Sequence, residues 1–208
     1  MYPEARIDEF LTALASSAPE PGGGAAAALA GAAAAALVSM VANLTIGKEK
    51  FAAFQDDMQA TLARAEALRA ELMTAIDRDA EAFRSVMAAY RLPREGPDQR
   101  AARKQALGAA LKEAAKIPAG VVSLCAEVAT LSQLALEKGN PQVLSDAAVA
   151  AVLADAGAQS AALNVRINLT GIGDASFTDE MWTEVQSRLE AIRMTRDEVL
   201  SAAYERLG

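Results

Sequence analysis

Apolar residues recur along this chain with one period, and that period is helical. Ile7, Phe10, Leu11 and Leu14 are spaced three and four apart, which predicts a short amphipathic helix over residues 6–16. The breaker cluster Ser17-Ala18-Pro19-Glu20-Pro21-Gly22-Gly23-Gly24 ends it. A segment without charge follows, up to Lys48, in which Leu29, Leu37, Val38, Met40, Val41 and Leu44 keep helical spacing. It predicts a helix from about 24 to 46, closed by Gly47 as a C-cap. Residues 51–90 read as one long helix or two in series, with Leu68, Leu72, Ile76, Phe83, Met87 and Tyr90 as its buried stripe. Residues 91–97 form a loop, 99–117 a helix, and Pro118 a kink or restart. Residues 119–138 are apolar and helical, closed by Gly139. Asn140-Pro141 starts the next helix, with a capping side chain and then proline in the first turn, and it runs to about 168. After a loop at 169–174, Thr178 or Asp179 caps a last amphipathic helix reaching Arg206. No segment alternates with the period of a strand. The expected fold is all-α: a single domain over residues 1–208, a bundle of long antiparallel helices around a central Ala/Gly-rich helix.

Composition decides how that central helix is read. It carries ten alanines between Ala25 and Ala36, with Gly31, Ser39 and Asn43 besides. It is long enough to cross a bilayer, since ~20 apolar residues suffice. Alanine, however, gains little from lipid compared with Leu, Ile, Phe or Val, and the flanking segments are those of a soluble protein. A flexible linker is excluded because alanine is the strongest helix former. A helix with no polar face is buried all round, and small side chains let neighbouring backbones come close. The helix is therefore expected to be central, packed among others or against its copy in a second subunit.

Hydrophobic residues make up 52% of the chain but aromatics only 4%, so the core must be built from Ala, Leu, Val and Met. The net charge of −7 argues against nucleic acid or an anionic membrane as partner. The single Cys125, in an apolar run, allows no disulfide within the chain, and the start MYPEARIDEF lacks the pattern of a secretory signal; both fit the cytoplasm. There is no histidine. That excludes Ser-His-Asp and Cys-His catalysis and any His-ligated metal. Proton transfer near neutral pH falls to a carboxylate, lysine, tyrosine, the cysteine or water.

A few residues stand out chemically. Gly22, Gly23 and Gly24 are either a flexible turn into the helix or a backbone cradle whose free N–H groups attract an anion or a polar ring edge. Asp79 falls on an apolar stripe between Ile76 and Phe83, which makes it either a buried structural acid or an acid facing a cleft. Asp146 lies past the usual acidic first turn of its helix, among alanines. It shares a face with Asn164, five turns on and ~27 Å away, so the two cannot address one reacting atom. Asn164 and Asn168 read as helix-to-helix hydrogen-bonders or as ligand contacts. Lys48 follows a helix C-terminus, where a cation is favourable in any case. Cys125 and Trp182 read as packing.

The segments PGGGAAAALAGA, MVANLTIGKEKF, DRDAEAFRSVMAAYRLP, GNPQVLSDAAVAA and LNVRINLTGIGD, in that order, resemble the cyclodeaminase/cyclohydrolase family of tetrahydrofolate enzymes. The likeness covers about residues 5 to 205. It implies an all-helical homodimer with a folate substrate bound in a cleft near the subunit interface, and neither metal nor cofactor. Two departures matter: Ala25 stands where the family often has a hydroxyl residue, and Phe51 where it often has a tyrosine. On the resemblance Lys48, Asp79 and Asp146 are the catalytic candidates. Lys48 is base or proton shuttle, and an aspartate holds the lysine or the water. Gly22, Gly23, Gly24, Asn43, Asn140, Asn164 and Asn168 are the candidates for holding the pterin. The implied reaction is hydrolysis of 5,10-methenyltetrahydrofolate to 10-formyltetrahydrofolate; the alternative is formiminotetrahydrofolate cyclodeamination with release of ammonia. A third reading, a non-catalytic helical dimer module, predicts that Lys48, Asp79 and Asp146 converge on no pocket.

Overall fold

In the computed structural model, which describes residues 4–208, the chain forms six α-helices and no strand among the described residues. They are α1 (Ile7–Leu14), α2 (Gly23–Asn43), α3 (Gln55–Tyr90), α4 (Pro97–Lys138), α5 (Leu144–Leu169) and α6 (Ala175–Leu207). Short 3-10 turns at Glu49–Phe54 and Pro141–Val143 lead into α3 and α5.

Side-chain pairs fix the directions. Gly24 abuts Asp79 and Gly31 abuts Leu72, so α3 runs antiparallel to α2. Arg64 pairs with Glu127 and Lys138 with Asp57, which makes α3 and α4 an antiparallel hairpin. Gly23 abuts Asn164 and Gly31 abuts Gly157, so α5 also opposes α2. α6 lies along α4 and α5, tied by Lys112–Asp174, by Arg206 on the Leu136 carbonyl and by the buried Asp155 with Arg196.

Small residues set the helix spacing. A β-carbon on Gly31 would lie 2.9 Å from Cys125 Sγ and 3.0 Å from Leu72 Cδ2. One on Gly157 would lie 3.1 Å from both the Ala27 carbonyl and the Gly31 nitrogen. Four helices thus meet where only glycine fits, which is the close approach that the alanine- and glycine-rich stretch predicts. α2, α4 and α5 are each long and apolar enough to cross a membrane, but 61% of the apolar window of α2 is buried against its sister helices.

Several expectations need correction. α1 buries Phe10 alone, while Ile7 and Leu11 are exposed. α2 is not covered all round: Ala33, Ala36, Met40 and Asn43 are exposed along one stripe. It ends at Asn43, and Gly47 reverses the chain with φ +75° three residues past the cap. α4 begins at Pro97 and passes through Pro118 unbroken. The carbonyl that Pro118 leaves without a helical donor, that of Ala114, accepts a hydrogen bond from Asn168 Nδ2 at 3.1 Å instead. α6 starts earlier than expected, because the Asp174 carboxylate accepts from the Phe177 N–H and caps it. The 3-10 turn before α5 shifts that helix forward, so Asp146 stands in its first turn, where an acid is favoured by the helix dipole.

Candidate active site

α2 opens without a local cap: Gly22 has no side chain to offer, and no acid lies in the first turn. The carboxylate comes from α3. Asp79 accepts the Ala25 N–H and stands at the positive end of a 21-residue helix. Gly24 makes room for it, since a β-carbon there would sit 2.5 Å from Asp79 Cγ. Burial raises the Asp79 pKa above the usual carboxylate value, and the Ala25 N–H offsets part of that rise. No cation pairs with Asp79 among the described residues.

Around this carboxylate lies a cleft of about 440 Å³. Gly22, Gly23 and Gly24 form one wall, Asp79, Phe83, Val86, Met87 and Tyr90 of α3 a second, Leu111 and Ala114 of α4 the floor, and Asn164, Ile167 and Asn168 of α5 the third side. Phe83 is 36% and Tyr90 46% exposed, so two aromatic surfaces face open space. Asn164 donates to the Ser160 carbonyl at 2.9 Å, and its oxygen accepts nothing within the described chain. The Asn168 amide is taken up by Ala114. The arrangement offers a flat slot with apolar faces, amide and backbone N–H groups at one edge, and one carboxylate able to exchange a proton.

The remaining candidates lie elsewhere. α2 spans about 30 Å at 1.5 Å per residue, and Asn43, Lys48, Asn140 and Asp146 belong to its far end. There Thr45 Oγ1 accepts the Asn140 N–H at 2.9 Å, Asn140 Nδ2 donates to the Leu44 carbonyl at 3.3 Å, and Asn140 Oδ1 accepts from Gln142 at 3.2 Å. Asn140 is buried and fully employed in joining α5 to the end of α2. Lys48 is half-buried, and its ammonium has no hydrogen bond or ion pair among the described residues. Within one chain, then, Lys48, Asp79 and Asp146 do not converge; Asp79 alone of the three lines the cleft.

Residues 6–187 match the family described as formiminotransferase-cyclodeaminase. The chain belongs to this family. The methenyltetrahydrofolate cyclohydrolase of Methylorubrum extorquens is 48% identical over 183 residues, 88% of each chain. The formimidoyltransferase-cyclodeaminase of Rattus norvegicus is 30% identical over 203 residues, which are 98% of this chain and 38% of that one. The crystal structure of formiminotetrahydrofolate cyclodeaminase from Thermotoga maritima aligns over the whole of both chains with a TM-score of 0.90 and 31% identity.

In this member of the formiminotransferase-cyclodeaminase family, sequence periodicity assigned Phe83 and Tyr90 to the core, whereas Val86 and Ala89 occupy it. The two rings sit on the cleft side, with Met87 between them. Their seven-residue spacing puts them on one face; that this face borders open space is not written in α3 itself. Cys125 is core as expected, its thiol pushed up to about 12 by burial and therefore inert.

Proposed function

We propose that this protein hydrolyses 5,10-methenyltetrahydrofolate to 10-formyltetrahydrofolate. The observation that carries the reading is Asp79: a carboxylate of raised pKa and without a cation partner, in a cleft walled by exposed aromatic rings. The substrate is a flat pterin bearing a delocalised cation over N5, the bridging carbon and N10. Aromatic faces suit the ring, and the carboxylate offsets the charge. Identity of 48% over 183 residues with a named methenyltetrahydrofolate cyclohydrolase favours hydrolysis over deamination.

In this mechanism water adds to the bridging carbon and gives its proton to Asp79. The hydroxyl proton then leaves as the carbonyl forms, N5 is protonated, and the carbon–N5 bond breaks. The formyl group stays on N10, and one proton is released overall. Asn164 and the N–H groups at the start of α2 hold the pterin edge. Neither metal nor redox cofactor takes part in this balance. The acidic surface and the buried, unpaired thiol support a cytoplasmic location.

A second reading has its own support in the Thermotoga maritima cyclodeaminase: N10 attacks a formimino carbon on N5, and ammonia leaves. Both reactions pass through a tetrahedral carbon held between N5 and N10, so one cleft accommodates either. Loss of methenyl absorbance, measured beside ammonia release from formiminotetrahydrofolate, separates them. Hydrolysis at least tenfold faster than ammonia release is expected, and the reverse ratio would establish the deaminase.

A further inference from the structure

α3 grips the entry to α2 at two points. Asp79 accepts the Ala25 N–H. Five residues further along α3, Arg84 Nη1 donates to both carboxylate oxygens of Glu20, at 3.0 and 2.9 Å. Glu20 precedes Ala25 by five residues, so the two contacts are in antiparallel register and the segment between them lies along α3. That segment is Pro21-Gly22-Gly23-Gly24, which carries the glycine wall of the cleft. The N–H groups of Gly22, Gly23 and Gly24 have no partner among the described residues. Ala80 and Met87, one turn before and one turn after Arg84 on the same flank of α3, line the cleft, and so does Glu20. The ion pair therefore stands at the rim beside the glycines.

We propose that Arg84 is a positioning residue for the reaction: through Glu20 it fixes the outer end of the glycine segment and so holds the free N–H groups where they meet the pterin edge. The inference rests on the reading of the cleft given above. Consecutive glycines have more backbone freedom than any other residues, and ordering them costs correspondingly more entropy. Prolines flank Glu20 at positions 19 and 21, and their fixed φ carries the position of its carboxylate into Gly22 instead of letting the chain absorb it. Pro21 is buried but has no N–H to donate, so Glu20 supplies the outer polar hold on the segment. Glu20 is also the second carboxylate of the cleft. Arg84 neutralises it and leaves Asp79 as the uncompensated anion for the substrate cation.

The side chains of Arg84 and Glu20 are 50% and 25% exposed, and ion pairs open to water add little to global stability. The effect falls instead on the fraction of molecules whose site is ready for substrate, and apparent affinity falls in proportion to that fraction. Once bound, the pterin edge orders the amides itself, so the loss appears in KM and not in kcat.

Arg84→Met and Glu20→Gln chains test this by methenyl hydrolysis, melting and amide hydrogen exchange. Each is expected to raise KM about fivefold, with kcat within about twofold and the melting temperature unchanged. The double variant should show the same rise of about fivefold and not the ~25-fold of independent effects. Arg84→Lys keeps a cation within reach of Glu20 and should bring KM back to within about twofold of wild type. Amides in residues 17–26 should exchange at least about fivefold faster in Arg84→Met, with the rest of the helices unaffected. A normal KM in Glu20→Gln beside a raised one in Arg84→Met would overturn the proposal, because Arg84 would then meet the substrate itself. Multiplying effects in the double variant, or unchanged exchange in residues 17–26, would overturn it as well. Asp79→Asn keeps the two readings apart. Normal turnover there removes the reading of the cleft, whereas an inactive Asp79→Asn beside Arg84→Met of normal KM sinks only the role of Arg84.

Discussion

Gly24 and Asp79 occupy the same space: the α3 carboxylate sits where a β-carbon on Gly24 would be, 2.5 Å from Cγ and 2.7 Å from Oδ2. The glycine is thus a consequence of the acid, and the acid replaces the cap that α2 lacks. Gly24→Ala must push the carboxylate off the Ala25 N–H or tilt α2 away from α3. The expected outcome is a loss of about 1–3 kcal/mol in stability, the usual cost of overpacking. Methenyl hydrolysis should fall further than that loss explains, by 100-fold or more. Denaturant titration beside the absorbance assay checks both; a stable, active Gly24→Ala chain would show that Asp79 needs no such seat.

The raised pKa of Asp79 gives its stability effect a sign. A carboxyl whose folded pKa lies above its unfolded value favours the folded state in its protonated form. That contribution is full below the unfolded value, near 4, and is lost as pH rises through the folded value. At neutral pH the wild type therefore carries a penalty for ionising Asp79 that Asp79→Asn does not. The melting temperature of Asp79→Asn relative to wild type should rise with pH from about 4 and then level off. Catalysis moves oppositely: the base form is needed, so the acid limb of the wild-type rate profile should vanish in the residual activity of the variant. A melting difference that is flat with pH would refute the raised pKa.

Asn168 supplies the donor that Pro118 removes from the Ala114 carbonyl. Asn168→Ala leaves that carbonyl without a partner and is expected to cost about 1–3 kcal/mol. Pro118→Ala restores an N–H at the required place. The double change should therefore recover most of the loss, with a coupling of about 1 kcal/mol or more in a double-mutant cycle. Additive losses would mean that the hydrogen bond does not offset the proline. Activity then separates two roles for Asn168: recovery in the double variant marks it as structural, and a persistent rise in KM marks it as a contact of the ligand.

The same relationship shows why α4 was not readable as one helix. Proline is a local stop signal, and its compensation comes from α5, far along the chain. The alanine- and glycine-rich pattern did reveal a close-packed all-α core, because small residues have few other uses in a long uncharged helix. Asp79 was legible as an acid on an apolar stripe. Its grouping with Gly22, Gly23, Gly24, Asn164 and Asn168, and its separation from Lys48 and Asn140, were not. Periodicity tells which side chains share a face of one helix; it does not tell which helix ends meet.

Phe83 and Val86 are three residues apart on α3 and are expected to respond in opposite ways. Both border the cleft, but Val86 is 8% exposed and packs into the core, whereas Phe83 is 36% exposed. Truncating a buried valine to alanine removes two methyl groups and leaves a void, a loss of about 1–2 kcal/mol. It leaves the aromatic walls of the slot intact, so Val86→Ala should lower the melting temperature and keep KM within twofold. Phe83→Ala removes a ring already half in solvent, so its stability cost should be smaller, about 1 kcal/mol or less. What it removes from the slot is a face for the pterin, and loss of one such aromatic contact raises KM by roughly tenfold, with kcat less affected. Phe83→Leu keeps the bulk without the flat face and should share the KM defect. If the valine variant showed the higher KM and the phenylalanine variant the lower melting temperature, the ring would belong to the core and the pterin slot would have to be sought elsewhere.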